Sequence, residues 1–370
     1  MRQRGHAVTL VCYCASDTAA EGVEMVDGIS VLRYHKRNLP RWYPGRLRAI
    51  VASTAAACRK WLAGRRFDVV HIHSPNQGLG VREALGAGPR YVYTAHSPMV
   101  LEQDIIWRSQ GLPGRLKLLL GRGLLANAER RMLKASAEIH TLSEFTRSVL
   151  DRDYGVGWRV SVIPHWYTPR GPRRDKAEAR RVLGWPQDSR ILLTVRSMGP
   201  RYGLDVAIRA LGPLTLESDC HLYLGGDGPM RPQLEALAAA FRRAGSVDER
   251  IHFTGRLSDA QLEAAYAAAD LFILPTLALE CYGLIIVEAL NFGCPVLGTD
   301  AGAIPELLRP ILPDCIVRAA DAAALQSRAR LFLQANLPVP DRQTLIDYAV
   351  GTYQEASVMS RLLRLFEPSS

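Results

Sequence analysis

The sequence predicts an α/β fold built from two doubly wound parallel sheets. Short apolar runs of strand length alternate with helix-period stretches along the whole chain. The alternation happens twice, on either side of a segment rich in Pro, Arg and Gly. The 370 residues are long for one domain and comfortable for two.

In the first half, the runs at 7–13, 69–73, 91–95, 139–142 and 160–163 read as strands, being rich in Val, Ile, Tyr and Thr. In the second half, 191–195, 221–225, 251–254, 271–274, 295–298 and 315–317 read the same way. Helical periodicity fills 203–211, 230–244 and 259–268, and a last stretch over 345–366 is expected to cross back to the first domain. The expected organisation is a first domain over 1–165, a linker over 166–188, a second domain over 189–343 and a closing helix over 344–370. Ligands in open α/β sheets bind outside the carboxyl ends of the strands, so two facing domains are expected to hold a ligand in the cleft between them.

Composition narrows the function classes. The chain is 48% hydrophobic without any uninterrupted apolar run of about 18 residues, so no spanning helix is expected. Residues 1–10 carry Arg2 and Arg4 and only a brief apolar run, so no signal peptide is expected either. Seven scattered cysteines lack paired metal-ligand spacing and read as reduced thiols of a cytoplasmic protein. The net charge of +10 is uneven. Residues 28–67 hold ten Lys/Arg and no acid, and 108–134 hold seven with only Glu129 opposing. Such stretches are solvated faces, or surfaces for an anionic membrane or acidic acceptor; no nucleic-acid partner is expected.

The chemistry concentrates in Glu280-Cys-Tyr-Gly-Leu-Ile-Ile-Val-Glu288. A buried strand at 271–274 precedes it and a helix follows Gly283. A glycine turn opening a helix presents free N–H groups to an anion. One carboxylate ahead of that turn and one inside the helix suit a polyol attached to the anion, as in a sugar nucleotide.

These residues resemble the retaining glycosyltransferases of family 4, which have the two-domain GT-B fold. The resemblance covers nearly the whole chain. The family's Glu, aromatic, Gly, Leu and Glu-Ala pattern stands here as Glu280, Tyr282, Gly283, Leu284, Glu288 and Ala289, followed by Gly293, Pro295, Val296, Gly302 and Glu306. The resemblance implies that Glu288 binds the ribose hydroxyls of the donor. The N–H groups near Gly283 and Leu284 would face the diphosphate or the sugar, and Glu280 would orient the transferred sugar. Thr194-Val-Arg196-Ser-Met-Gly-Pro-Arg201-Tyr-Gly203 is similar to the family's Arg and Lys-Gly segment, which clamps the diphosphate. Arg196 matches. Tyr202 stands at the lysine position and carries no cation, and Arg201 beside it offers a guanidinium in its place.

Further matches are looser. Gly225-Gly-Asp-Gly-Pro resembles a family turn that is either structural or a support beside the nucleotide. Phe253-Thr-Gly-Arg256-Leu257 is similar to the segment lining the base pocket, with Arg256 either stacked on the base or in solvent. In the first domain, Tyr93-Thr-Ala-His96 resembles the family's strand-end histidine, which implies that His96 bonds a sugar hydroxyl. His71 and His73 share a strand face; His73 is the better cleft candidate and His71 the more structural. With His96 they make a poor metal set, since only Asp68 is a nearby carboxylate. Ser143 reads as a helix N-cap.

The family opens with a strand, a glycine-rich loop and a helix. Met1-Arg-Gln-Arg-Gly5-His6 is similar to the end of that helix, so the opening strand is expected to be missing from this sequence, leaving its two neighbours unpaired.

The resemblance implies a hexosyltransferase that moves a sugar from a nucleotide-sugar donor to a hydroxyl acceptor with retention, in glycan, polysaccharide or glycolipid biosynthesis. No cofactor and no metal are expected, with Arg196, Arg201 and the helix start after Gly283 neutralising the diphosphate. The expected location is cytoplasmic, peripheral at the inner face of an anionic membrane. The rivals are a sugar-nucleotide epimerase or phosphorylase on the same fold, and a non-catalytic membrane-surface or anion-binding protein on this scaffold. The acceptor loops are expected at 35–44, 75–80 and 97–114, where Trp42, Tyr43 and Trp107 either contact sugar or membrane, or pack in the core.

Overall fold

The computed structural model describes residues 5–14, 20–36, 39–40, 43–108, 110–241 and 249–367. Arg37, Arg41 and Trp42, the side chain of Tyr43, the first four residues and the end of the helix expected over 230–244 lie outside the described residues. Two compact units divide the chain. One comprises Met1–Thr141, Val149–Ser161 and Leu363–Ser370; the other comprises Leu142–Ser148 and Val162–Leu362.

The first unit runs β1 (Thr9–Tyr13), β2 (Gly22–Val26), β3 (Ile29–Tyr34), α1 (Tyr43–Trp61), β4 (Val69–Ile72), α2 (Pro75–Leu85), β5 (Arg90–Ala95), α3 (Met99–Arg108), α4 (Gly111–Ala135), β6 (Glu138–Thr141), α5 (Glu144–Tyr154), whose first residues to Ser148 group with the other unit, and β7 (Val160–Val162). Its strands lie in two sheets, β1-β3-β2 and β4-β5-β6-β7, so β1 and β4 are both edge strands. Pairing is parallel for β1–β3, β4–β5 and β5–β6, and antiparallel for β2–β3. The hairpin β2–β3 corrects the expectation of a wholly parallel first domain. Its signal was present in Asp27-Gly28, where positive φ values of 48° and 74° make the tight turn whose twist matches a hairpin. Val70 packs on a cluster around Leu32, Cys58 and Val81 and also on one around Ile72, Tyr93 and Met132, so one core underlies both sheets. Trp107 is 3% exposed and packs with Val100 and Leu125, which makes it a core residue. The basic stretch at 28–67 meets acids from elsewhere: Arg33 pairs with Glu24, and Arg59 with Glu83 at 2.9 Å.

The second unit continues α6 (Lys176–Leu183), β8 (Arg190–Val195), α7 (Leu204–Glu217), β9 (Cys220–Gly225), α8 (Arg231–Ala239), β10 (Ile251–Gly255), α9 (Asp259–Ala268), β11 (Leu271–Leu274), α10 (Leu284–Asn291), β12 (Val296–Thr299), α11 (Ile304–Leu308), β13 (Ile316–Val317), α12 (Ala322–Leu333), α13 (Arg342–Thr352) and α14 (Glu355–Arg364). Its six strands pair in parallel in the order β10-β9-β8-β11-β12-β13. The order reverses between β8 and β11, a topological switch point that opens a crevice at the strands' carboxyl ends. The four central strands β9, β8, β11 and β12 are buried on both faces, as helices on both sides of a parallel sheet require. The segment 166–188 carries α6 and groups with this unit. The C-terminal stretch is two helices where one was expected. Gly351 weakens the end of α13, and Tyr353 leaves helical geometry at φ −112°, ψ 47°. From Leu363 the chain groups with the first unit, where Arg90 Nε donates to the Leu365 carbonyl at 3.2 Å.

A buried charge cluster ties the amino ends of β8 and β11 to α6. Asp270 is 5% exposed and accepts from Arg180 Nη2, Lys176 Nζ and the Ile191 N–H, each at 2.7 Å. Burial pushes its carboxyl up, but the Lys176 and Arg180 charges and the Ile191 N–H outweigh that and hold it below the ordinary aspartate value. A depressed carboxyl adds stability above its unfolded pKa of about 3.9, and this stability is lost as pH falls through the lower folded value. Asp270→Asn leaves Arg180 buried without its counter-charge and should cost about 3–5 kcal/mol at neutral pH. Urea unfolding of the variant beside the parent chain, repeated at acid pH where the gap should narrow, checks this.

Candidate active site

The switch point brings the sequence-predicted residues of the second unit together. Arg196 follows β8 directly, and the turn after β11 leads through Thr276 to Glu280. Arg196 Nη2 donates to Glu280 Oε2 at 2.6 Å, with side chains only 10% and 12% exposed. The hydroxyl of Thr276 donates to the same oxygen at 3.3 Å. Arg196 Nε is buried with no hydrogen-bond partner. A guanidinium holding one buried N–H in reserve is set to take another anion.

Tyr202 has contacts in this loop that the sequence reading did not include. Two cations lie over its ring, with Arg196 Cζ 4.6 Å and Arg201 Cζ 4.5 Å from the ring centre. Arg201 also donates to the Leu279 carbonyl at 2.6 Å and to the Tyr202 hydroxyl at 3.0 Å. The tyrosine brings no charge of its own, but its π face gathers two guanidiniums. Sequence spacing placed Arg201 beside the lysine position; nothing in the sequence showed the stack.

Gly283 starts α10 with φ 89° and ψ 47°, a left-handed turn that suits glycine. Leu284 is half-buried at the first helical position. One turn on, Glu288 Oε2 accepts from the hydroxyl of fully buried Tyr266 at 2.8 Å. Burial pushes the Glu288 carboxyl above its ordinary value, while the Tyr266 hydrogen bond and the charges of Arg170 and Arg196 pull it down. Glu263 lies near enough to add to the upward push, and it accepts from Tyr167 Oη at 2.8 Å and from the Arg170 N–H at 2.6 Å. Sequence reasoning missed Tyr266, Thr276 and Glu263, because no local pattern distinguishes them from other helix and turn residues.

The Gly225-Gly-Asp-Gly turn buttresses this loop. Gly226 has φ 109°, and a Cβ there would sit 2.0 Å from the Arg196 carbonyl oxygen. Met198 N–H donates to the Asp227 carbonyl at 2.9 Å. Arg256 is exposed after β10, and Leu257 packs against the core. Ser143 caps α5, its hydroxyl accepting from the Thr146 N–H at 3.2 Å. Glu306, another residue given no role from sequence, accepts from the N–H groups of Glu144 and Phe145 at 2.9 and 2.6 Å.

In the first unit four histidines gather at the carboxyl ends of β4, β5 and β6. His96 Nε2 shares a hydrogen bond with His73 Nδ1 at 2.8 Å. His71 Nε2 bonds Thr94 Oγ1 at 2.6 Å, which bonds His140 Nδ1 at 2.9 Å. Burial, then the His73, His140 and His96 rings, push His71 down to about 3, so it stays neutral. His71 is thus held across three strands through Thr94 and His140, and His73 is hydrogen-bonded to the His96 ring. Among the described residues no group of three or more His, Cys, Asp or Glu is placed to hold a metal ion.

Comparison with known proteins follows the same division. The Glycosyltransferase Family 4 model matches residues 1–182, and the Glycosyl transferases group 1 model matches 189–335. The chain belongs to the group 1, family 4 glycosyltransferases. Phosphatidyl-myo-inositol mannosyltransferase of Mycobacterium leprae is 27% identical over 375 residues, covering 99% of this chain and 89% of the relative. Among solved structures, sucrose-phosphate synthase from Thermosynechococcus elongatus superposes with a TM-score of 0.78 at 18% identity, covering 99% of this chain and 89% of the other. Anabaena HepE, solved with UDP and glucose, superposes with a TM-score of 0.68 at 16% identity, covering 91% of this chain and 86% of the other. These likenesses establish the GT-B fold, two Rossmann-like domains, for this glycosyltransferase.

The buttress can be tested by substitution. Gly226→Ala should lower stability by about 1–3 kcal/mol and displace Arg196, because a methyl group there strains the backbone and meets a carbonyl oxygen. Gly351→Ala, where a Cβ meets nothing within 4 Å, should be neutral or stabilising. Thermal melts of both variants beside the parent decide it; equal melting for the two would refute the steric account.

Proposed function

We propose that this glycosyltransferase moves a hexosyl group from a nucleotide-sugar to a hydroxyl acceptor, with retention at the anomeric carbon, in glycan, polysaccharide or glycolipid biosynthesis. The observation that carries the reading is the buried Arg196–Glu280 pair at the switch point, 2.6 Å apart with an unpartnered guanidinium N–H beside it. In the reading, the donor's diphosphate becomes the partner of Arg196 and releases Glu280 to accept hydroxyls of the sugar. Arg201 and the first N–H groups of α10 near Gly283 and Leu284 face the same diphosphate. Neutralising it with these groups gives them the role a divalent ion plays elsewhere. Glu288 accepts the two ribose hydroxyls, and Arg256 and Leu257 border the base.

The chemical step breaks the bond between the anomeric carbon and the phosphate oxygen, and the electron pair leaves on the diphosphate. The acceptor oxygen bonds the same face of that carbon, and its proton passes to the departing phosphate oxygen. Arg196 and Arg201 stabilise the growing charge of the leaving group, and the Glu280 carboxylate favours positive charge at the carbon. The first unit supplies the acceptor side, where His96 bonds a sugar hydroxyl. The M. leprae relative is named for a phosphatidyl acceptor. That name supports a lipid-linked acceptor here and work in peripheral contact with an anionic membrane at its cytoplasmic face.

A panel of UDP-, GDP-, ADP- and TDP-sugars tests the reading by thermal stabilisation and transfer. One base class should stabilise the chain. Glu288→Ala should weaken donor binding at least about tenfold, since two charge-assisted hydrogen bonds are lost. Arg196→Ala should slow transfer by about 10²–10³ through lost leaving-group stabilisation. Full activity in both variants would overturn the site.

The pH dependence has a definite sign. The carboxylate form of Glu288 accepts the ribose hydroxyls, so donor affinity should fall as pH drops. The fall should begin above the ordinary glutamate value of about 4.3, because burial raises Glu288. Tyr266→Phe removes a hydrogen bond that lowers Glu288, so the midpoint should move further up. Nucleotide affinity measured across mildly acidic pH would show the shift; an unmoved midpoint would detach Glu288 from the titration.

A further inference from the structure

Helix α4 is apolar on two opposite sides. One side is buried: Leu125, Ala128, Met132 and Leu133 are at most 4% exposed and pack within the first unit. The other carries a row of leucines in solvent. Leu112 is 80% exposed, Leu116 59%, Leu119 82%, Leu120 65% and Leu124 40%. At 3.6 residues per turn these five span an arc of roughly 140° that points away from the buried stripe, over a length of about 18 Å. An unpartnered leucine row of this size on a soluble surface marks a contact with something apolar.

Charge identifies the contact. Arg115 and Arg122 lie along one margin of the row and Lys117 along the other. Beyond Leu124 the same side continues into Arg131 and Lys134, both exposed. The only carboxylate of α4 is Glu129, which is fully buried and engaged by Tyr154 Oη at 2.7 Å and the Met99 N–H at 3.1 Å. Arg122 also meets the buried Asp104 of α3 at 3.6 Å, so the exposed side of α4 is leucine edged with cations and carries no carboxylate of its own. A second copy docking on this face would set cations against cations. A bilayer bearing anionic headgroups matches both features, since leucines reach the acyl boundary while Arg and Lys meet phosphate. No described helix is long and apolar enough to cross a membrane, so α4 would lie in the plane of the interface.

We infer that the exposed leucine face of α4 docks this glycosyltransferase on an anionic lipid bilayer. The inference rests on the membrane contact proposed above and gives it a surface; the donor site does not depend on it. The probe is co-sedimentation of the full chain with phosphatidylcholine vesicles, with and without phosphatidylglycerol. The chain should bind the anionic vesicles and release as salt rises. The triple variant Leu116→Gln, Leu119→Gln, Leu120→Gln should bind at least about tenfold more weakly while melting like the parent, because three apolar side chains lose their buried environment. Arg115→Glu with Lys117→Glu should weaken binding to anionic vesicles alone. Vesicle binding by the triple variant equal to the parent would overturn this surface while leaving membrane contact standing. Absence of parent binding would overturn both. A parent dimer that the triple variant splits, with vesicle binding unchanged, would assign the face to a second copy and also overturn it. Donor-induced stabilisation, measured on the same proteins, should be untouched in every case and reports separately on the donor reading.

Discussion

Arg196 and Glu280 form a charge pair that neither residue could sustain alone, since an unpaired buried ion costs several kcal/mol. The pair exists because the strand order of the second sheet reverses between β8 and β11, so the residues leaving those two strands emerge side by side. Everything nearby serves to keep that emergence fixed. Gly226 lets one loop lie against the Arg196 carbonyl. Gly302 lets another lie against the Glu280 backbone, where a Cβ would come within 2.2 Å of the carbonyl oxygen. These contacts leave little room for the loops to drift. The functional polarity of the unit thus follows from topology first and from side-chain chemistry second.

A preformed ion pair also gives the site a resting state. Arg196 is already desolvated, so in the proposed reading an incoming diphosphate would exchange one anionic partner for another and would not have to strip water from a free guanidinium. Tyr202 extends the same logic. With Arg196 and Arg201 both over its ring, it holds two like charges near each other with less repulsion than a lysine at its position would add. Loss of the lysine and retention of a two-cation site are therefore compatible.

The first unit is built on different terms. Its histidines are linked through Thr94 and through one another, and burial, then the neighbouring histidine rings, holds His71 and His73 below the ordinary imidazole value. Its outer surface carries the charge instead, concentrated beside the leucines of α4.

Much of this was legible in the sequence. Strand and helix alternation gave the fold class because period and length are local properties, and β11 and α9 fell on the residues expected. The spacing from Glu280 to Glu288 around Gly283 gave the turn and helix start for the same reason. The hairpin β2–β3 had a local signal in Asp27-Gly28 that outranks the longer pattern around it. Other features had no local signal at all. Arg196 and Glu280 are 84 residues apart, and only the sheet order makes them partners. Tyr266 meets Glu288 across two helices, Glu306 reaches the start of α5 from 161 residues away, and Tyr202 gains its role from guanidiniums that fold around it. The leucines of α4 have a helical spacing that reads as core; only packing decides which apolar side of a helix is buried and which is left in water. Periodicity fixes what an element is, and tertiary contacts fix what each of its faces meets.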